Sequence, residues 1–351
     1  MSETTEQTGR LIGEPGGGPG PGSSIGDILR NWLGVFARQR EATIFVVAIA
    51  LFVYFGLSDT SSFISQSNAI NLFSAFAAPI IIIAIGEVLL LICGEIDLSV
   101  GFIYTFAPFI MFFMNEYYGV PAWLSIVLAL LFGLVAGWVN GFITVALGVP
   151  SFITTLGTGF ILAGLALVLS HAEPHPLPPA TLTIGKYLAT DGWAQFIWAV
   201  ILVAIFHVVL TRTRWGLYTI STGGNALGAR EAGINIGRIK YGNFMITGLL
   251  GAFVGVQVAF YTNDIDPLAG GYQPMFYAVT AAVIGGTAML GGSGTILGAF
   301  IGAIVLAALL DGFDVQGINA NSVQIVFGAA ILIAMVGNVQ LARIRERGRM
   351  V

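Results

Sequence analysis

Three carboxylates stand where hydrocarbon-grade sequence would normally exclude them. Glu87 lies inside an apolar run that starts near Ala75, and Glu95 and Asp97 follow in "CGEIDLSVG" (93–101). An acid at mid-bilayer costs roughly 2.5–3.5 kcal/mol on insertion scales, so such residues face a bundle interior or a watery cavity. Glu87, mid-run with no local partner, is either a cavity-facing polar residue or a hydrogen-bonded packing residue. Asp97 directly precedes "LSVGFIY". It is placed to cap the next helix through the amides of Ser99 or Val100, a role compatible with lining a pathway. Glu95 sits beside Gly94 at the break, near the cytoplasmic rim.

Two further stretches carry polar groups at chosen spacings. "GVPSFITTLGTGF" (148–160) opens a span with Pro150 and Ser151, and Thr154, Thr155 and Thr158 add hydroxyls near one wall. The plain alternative is threonine bonding to its own helix backbone. "GGNALGAREAGINIGR" (223–238) has the signature of a short helix. Asn225 is a good N-cap, "ALGAREA" makes about two turns, and Gly233 is a good stop. Two turns are not stable alone. The small and apolar residues with Arg230 and Glu231 suit a groove in another protein, or else this is an ordinary basic loop.

Other chemistries are excluded. "GGSGTILG" (291–298) has the spacing G-x-G-x-x-x-G, follows an apolar helix and lacks a βαβ unit, so it is no dinucleotide fingerprint. Pro174 and Pro176 break any helix that would pair His171 with His175 on zinc. The only lysines, Lys186 and Lys240, are each followed by Tyr, so no P-loop exists and the chain cannot itself cradle ATP in that way. No catalytic triad or paired acids in a soluble cleft are visible.

The elements that must hold these groups are membrane helices. With 56% hydrophobic and only 9% charged residues, a soluble core is excluded. The apolar stretches are continuous, which means helices and not alternating barrel strands. The sequence predicts an all-α polytopic membrane protein with about ten transmembrane helices: 42–57, 75–93, 101–114, 122–139, 152–170, 193–210, 243–262, 276–290, 295–311 and 322–337. Residues 1–24, with "EPGGGPGPGSS", form a disordered tail. Residues 25–40 form an amphipathic interfacial helix presenting Ile25, Leu29, Trp32, Leu33 and Phe36. The membrane domain is 41–338, with a basic tail at 339–351. The single cysteine, Cys93, excludes an internal disulfide and reads as a small buried hydrophobe.

Cation placement gives the orientation. Apart from Lys186, every Lys and Arg lies before the first span, in the 211–242 loop or at the end of the chain. The positive-inside rule puts all three regions in the cytoplasm, consistent with six spans and then four between them. Membrane topology explains the basic clusters without nucleic acid. A weak internal repeat lays 85–101 over 284–298, each an apolar helix, a glycine-rich break and another helix. Duplicated, interrupted helices point to a transport pathway.

Four stretches then carry a family resemblance: "GEIDLSVG" (94–101), "NGFITVALGVPSFITTLGT" (140–158), "GGNALGAREAGINIGRIK" (223–240) and "AVIGGTAMLGGSGTILGAFIGA" (282–303). In this order the chain resembles permease subunits of bacterial ABC importers for monosaccharides of the ribose, xylose, arabinose and galactoside type. The resemblance implies a multi-pass protein of the bacterial inner membrane and a second permease copy. It also implies a cytoplasmic ATPase subunit that binds ATP in its stead and an extracytoplasmic sugar-binding protein. By this likeness 223–234 is the coupling helix, with Gly224, Asn225, Ala229, Arg230, Glu231 and Gly233 as the coupling residues. Glu87, Asp97, Ser99, Asn140 and Thr155 then line or border the sugar path. Many relatives have Gly-Gly where this chain has Gly94-Glu95. The alternatives are a proton-coupled secondary transporter using Glu87, or an ABC permease for nucleosides or branched-chain amino acids.

Overall fold

The computed structural model describes residues 40–319, apart from 191, and scattered positions between 322 and 336. The expected tail, interfacial helix and basic terminus lie outside the described residues, as do the bounds of the tenth span.

The described chain is helical, joined by one two-residue ladder. In order the main helices are α1 (Arg40–Ser58), α2 (Gln66–Ile92), α3 (Val100–Glu116), α4 (Ala122–Val145), α5 (Ser151–Leu169) and α6 (Ala194–Arg212). Two short helices follow, α7 (Arg214–Gly224) and α8 (Ala226–Glu231), and then α9 (Ile236–Thr262), α10 (Tyr272–Ile284) and α11 (Ile296–Val315). Six of them, α2, α4, α5, α6, α9 and α11, are long and apolar enough to cross a bilayer. The chain is therefore an all-α polytopic membrane protein. Three predicted boundaries are corrected. The second span starts at Gln66, carried through Asn68 and Asn71 by a π-helical stretch over Asn71–Ala77. Helix α9 starts at Ile236, because Asn235 caps it by accepting from the Arg238 amide at 2.9 Å. Helix α10 stops at Ile284, which leaves Leu290 at a tip, 88% exposed.

Helix α2 forms the centre, with Ile80 to Ile92 buried throughout. Helix α4 meets α9 along a stripe of small residues. A Cβ on Gly133 would stand 2.4 Å from the Gly248 carbonyl oxygen, and one on Gly137 would stand 2.2 Å from that of Phe244. Small residues at four-residue spacing allow such backbone contact where lipid supplies no hydrophobic drive.

Two helices begin deep in the bundle. Val100, the first residue of α3, packs on Gly251, fifteen residues into α9. At 1.5 Å per residue that is about 22 Å from the start of α9. The Gly271 amide, at the start of α10, donates to the Gly101 carbonyl at 3.1 Å. Both helix starts therefore lie at one depth inside the protein. The far ends are tied by the ladder between β1 (His175–Pro176) and β2 (Asp264–Ile265).

Candidate functional site

The break between α2 and α3 is held by side chains. The Ser99 amide and hydroxyl both donate to Asp97 Oδ1, at 2.8 and 2.6 Å. Asn140 of α4 donates through Nδ2 to Ser99 Oγ at 2.7 Å and to Asp97 Oδ2 at 3.2 Å. Asp97 thus takes the Ser99 amide, as its sequence position suggests, while Ser99 itself occupies the cap position of α3. The next turn is fixed to α5: the Leu98 amide donates to Thr155 Oγ1 at 3.0 Å and the Ile96 amide to Ser151 Oγ at 3.4 Å. Thr155 also donates to the Ser151 carbonyl at 2.8 Å, so the hydroxyl serves its own helix and the break together. The break has lost its helical hydrogen bonds, and its own side chains with residues from two neighbouring helices replace them.

Asp97, Ser99, Asn140 and Thr155 therefore meet in one cluster, and all four are fully buried. Glu87 is also fully buried on α2, with its carboxyl toward the Asp97 backbone and no close hydrogen-bond partner among the described residues. An ionised carboxyl without a partner is costly in such surroundings, which makes Glu87 the least satisfied polar group beside the cluster.

The break between α10 and α11 is built differently. Gly286, Gly291 and Gly292 have φ of +88°, +89° and +79°. The turn closes through the Ala288 amide on the Ser293 carbonyl at 2.9 Å. The two breaks touch, because the Gly292 amide donates to the Ile92 carbonyl at 2.8 Å. The end of α7 completes this junction. A Cβ on Gly223 would stand 1.6 Å from the Ile92 carbonyl oxygen and 2.8 Å from the Gly292 nitrogen. The two stretches aligned as a repeat in sequence, 85–101 and 284–298, are thus neighbours.

Helix α8 hangs on this junction. Asn225 caps it by accepting from the Gly228 amide at 2.9 Å. Gly233, at φ +80°, ends it: the Gly233 amide reaches the Arg230 carbonyl and the Ile234 amide that of Ala229, both at 3.0 Å. That is the two-bond stop in which glycine takes the left-handed position. Gly224, Asn225, Leu227, Arg230, Glu231 and Gly233 are exposed. Ala229 is buried and packs α8 onto its own chain. It faces inward because α8 must seat one side on the chain that carries it.

Several contributors escape sequence reasoning. Asn243 on α9 accepts from Trp215 Nε1 at 2.9 Å and donates to the Leu89 carbonyl at 3.2 Å and to Cys93 Sγ at 3.1 Å, linking α7 to the end of α2. Lys240 forms an ion pair with Glu95, joining the start of α9 to the first break. Gly223 meets the Ile92 carbonyl and the Gly292 amide. In each case the partner is remote in sequence, and only the glycine-rich composition hinted at close approach.

Residues 68–336 match the family described as "Branched-chain amino acid transport system / permease component". The chain is 36% identical over 307 residues to the xylose/arabinose import permease protein XylH of Sulfolobus acidocaldarius, covering 85% of each chain. It is 32% identical over 308 residues to the probable ABC transporter permease protein YphD of Escherichia coli, covering 87% of this chain and 91% of that one. It is 29% identical over 310 residues to the autoinducer 2 import system permease protein LsrC of Photorhabdus luminescens, with the same coverage of 87% and 91%. No solved structure matches the chain. With most of its length matched, and its membrane helices interrupted at the two breaks, the chain belongs to this family of transport permeases.

Proposed function

We infer that this chain, a permease subunit of an ABC sugar importer, builds the membrane pathway with a second copy of itself. In this reading about ten helices cross the inner membrane, with both termini and α7–α8 in the cytoplasm. A separate ATPase subunit grips α8, and an extracytoplasmic binding protein delivers the monosaccharide. The likeness to a xylose/arabinose permease supports a pentose-type cargo. The carrying observation is the seat of α8: an exposed, capped two-turn helix whose preceding residue pair packs backbone to backbone on both helix breaks. A push on α8 passes through Gly223 and Asn243 to Ile92 and Cys93, and then through the Asp97 cluster to α4 and α5. Asp97, Ser99, Asn140 and Thr155 border the path as the parts that hold its movable break, and Glu87 faces the same region.

The test is reconstitution. ATP-dependent xylose uptake into proteoliposomes is expected only with the ATPase subunit and the binding protein present. Arg230→Glu should lower ATPase co-purification by about tenfold or more, since a reversed interface charge is repelled and desolvated, while the melting temperature stays unchanged. Uptake by this chain alone, driven by a proton gradient and abolished by Glu87→Gln, would instead establish the secondary-transporter reading that the unpartnered Glu87 keeps in play. Uptake of leucine or a nucleoside in place of sugars would keep the importer and change its cargo.

A further inference from the structure

Beyond the breaks, toward the β1–β2 ladder, lies a small cavity of about 120 Å³. Tyr104, Thr105 and Pro108 of α3 form one wall, Thr262 closes the end of α9, and Asp264 and Asp266 overhang it from the following loop. None of these residues belongs to the Asp97 cluster or to the coupling helix.

The polar groups of this cavity keep hydrogen-bonding capacity, Tyr104 from a buried position and Asp264 and Asp266 from half-buried ones. Tyr104 is only 7% exposed, yet its hydroxyl makes no hydrogen bond to any described residue, and it lies within electrostatic reach of Asp266. Asp266 accepts the Leu268 amide through Oδ1 at 2.8 Å, leaving its other oxygen available. Thr105 donates to the Gly101 carbonyl at 3.0 Å and keeps its acceptor capacity. Pro108 lacks an amide hydrogen, so the Tyr104 carbonyl loses its helical partner. That carbonyl sits against Gly255, where a Cβ would be 2.0 Å away. A buried phenol is normally paired, and a phenol donor that lines one cavity with two carboxylate acceptors is the complement of a diol.

We propose that this cavity is a weak sugar subsite, receiving a single monosaccharide on the outer side before it reaches the helix breaks. The proposal rests on the importer reading, which makes the ladder face the outer face. Size favours one small ring, since pockets for larger ligands run from about 300 Å³ upward. A neutral polyol uses both the phenol donor and the carboxylate acceptors, whereas a cation uses only the acceptors. The described residues also hold no group of three or more acidic, histidine or cysteine side chains suited to a metal.

The full chain in lipid nanodiscs, probed with millimolar D-xylose by saturation-transfer NMR, tests this directly. Binding is expected in the wild type and should weaken about tenfold in Tyr104→Phe and in Asp266→Asn, since each removes a hydrogen bond of the charge-assisted set. Tyr104→Phe keeps the ring, and an unchanged melting temperature separates lost binding from lost folding; Asp264→Asn is the second variant if Asp266→Asn does not fold. Undiminished xylose signals in the variants, no xylose binding in the wild type, or calcium binding that xylose does not compete would each overturn the subsite. If the reconstituted importer moves xylose while the nanodisc shows no binding, the subsite falls and the importer stands. If no sugar is imported with ATPase and binding protein present, the importer reading falls.

Discussion

The two helix breaks do the same geometric job by opposite means. The first, between α2 and α3, carries Glu95, Asp97 and Ser99 and is stapled by Asn140, Ser151 and Thr155 from neighbouring helices. The second, between α10 and α11, is held by its own turn and by backbone contact with Ile92 and the α7 glycines. A side-chain staple can exchange partners as helices move, because hydroxyl and amide groups rotate to new acceptors. A glycine contact transmits displacement directly, because backbone atoms at van der Waals limits have nowhere to yield. The first break is suited to change shape and the second to pass on a push.

The sharpest way to break this contrast is to add one carbon to the glycine side. Gly223→Ala places a Cβ 1.6 Å from the Ile92 carbonyl oxygen. Ordinary overpacking costs about 1–3 kcal/mol, and here the struck atoms are backbone, so the cost lies at or above the top of that range. ATP-dependent uptake should fall to background. Gly224→Ala, whose nearest neighbour would be the Gly292 Cα at 3.7 Å, should keep the melting temperature within about one degree of wild type. Equal loss of uptake and stability in both variants would show that clearance at Gly223 is not what matters.

The side-chain break should respond to chemistry before size. Asp97→Ala leaves the Ser99 amide and hydroxyl without their acceptor and removes one of the two acceptors of Asn140 Nδ2. Stranding buried donors costs about 1–3 kcal/mol apiece before relaxation, so a total loss of about 2–4 kcal/mol is expected, read as a lower thermal midpoint in detergent. Asp97→Asn keeps one carbonyl acceptor and should lose less than half as much. An Asn variant as unstable as the Ala variant would assign the role to charge and not to the hydrogen-bond count.

How much of this was visible beforehand follows from the same contrast. Membrane class, the helical nature of the apolar runs and the capped α8 were legible, because apolar runs, Asn225 and Gly233 act through local backbone physics. Asp97 and Ser99 were legible as a pair two residues apart. That Asn140 and Thr155 would join them was an expectation from the family likeness, since nothing local to 140 or 155 points toward 97. The depth at which α3 and α10 begin was hidden for another reason: it depends on where Gly251 and Gly101 admit a neighbour. Leu290 misled because an apolar residue before glycines reads as the end of a span, whereas the helix had already ended at Gly285.

The smallest expected effect tests whether the first break is tuned from the coupling side as well. Glu95 and Lys240 are partly accessible, with side-chain exposures of 11% and 24%, and an exposed pair contributes up to about 1 kcal/mol. Lys240→Glu should lower the uptake rate by a few-fold at most and should make it more sensitive to salt, since the repulsion of two carboxylates is screened. Restoring the pair in reverse, Glu95→Lys with Lys240→Glu, should recover most of the loss, because Coulomb attraction does not depend on which helix carries which sign. Recovery would locate the effect in the pair itself and tie the start of α9, just beyond α8, to the movable break. Failure of the reversed pair, with Glu95→Gln alone behaving as wild type, would make Lys240 a partner-facing cation whose contact with Glu95 is incidental.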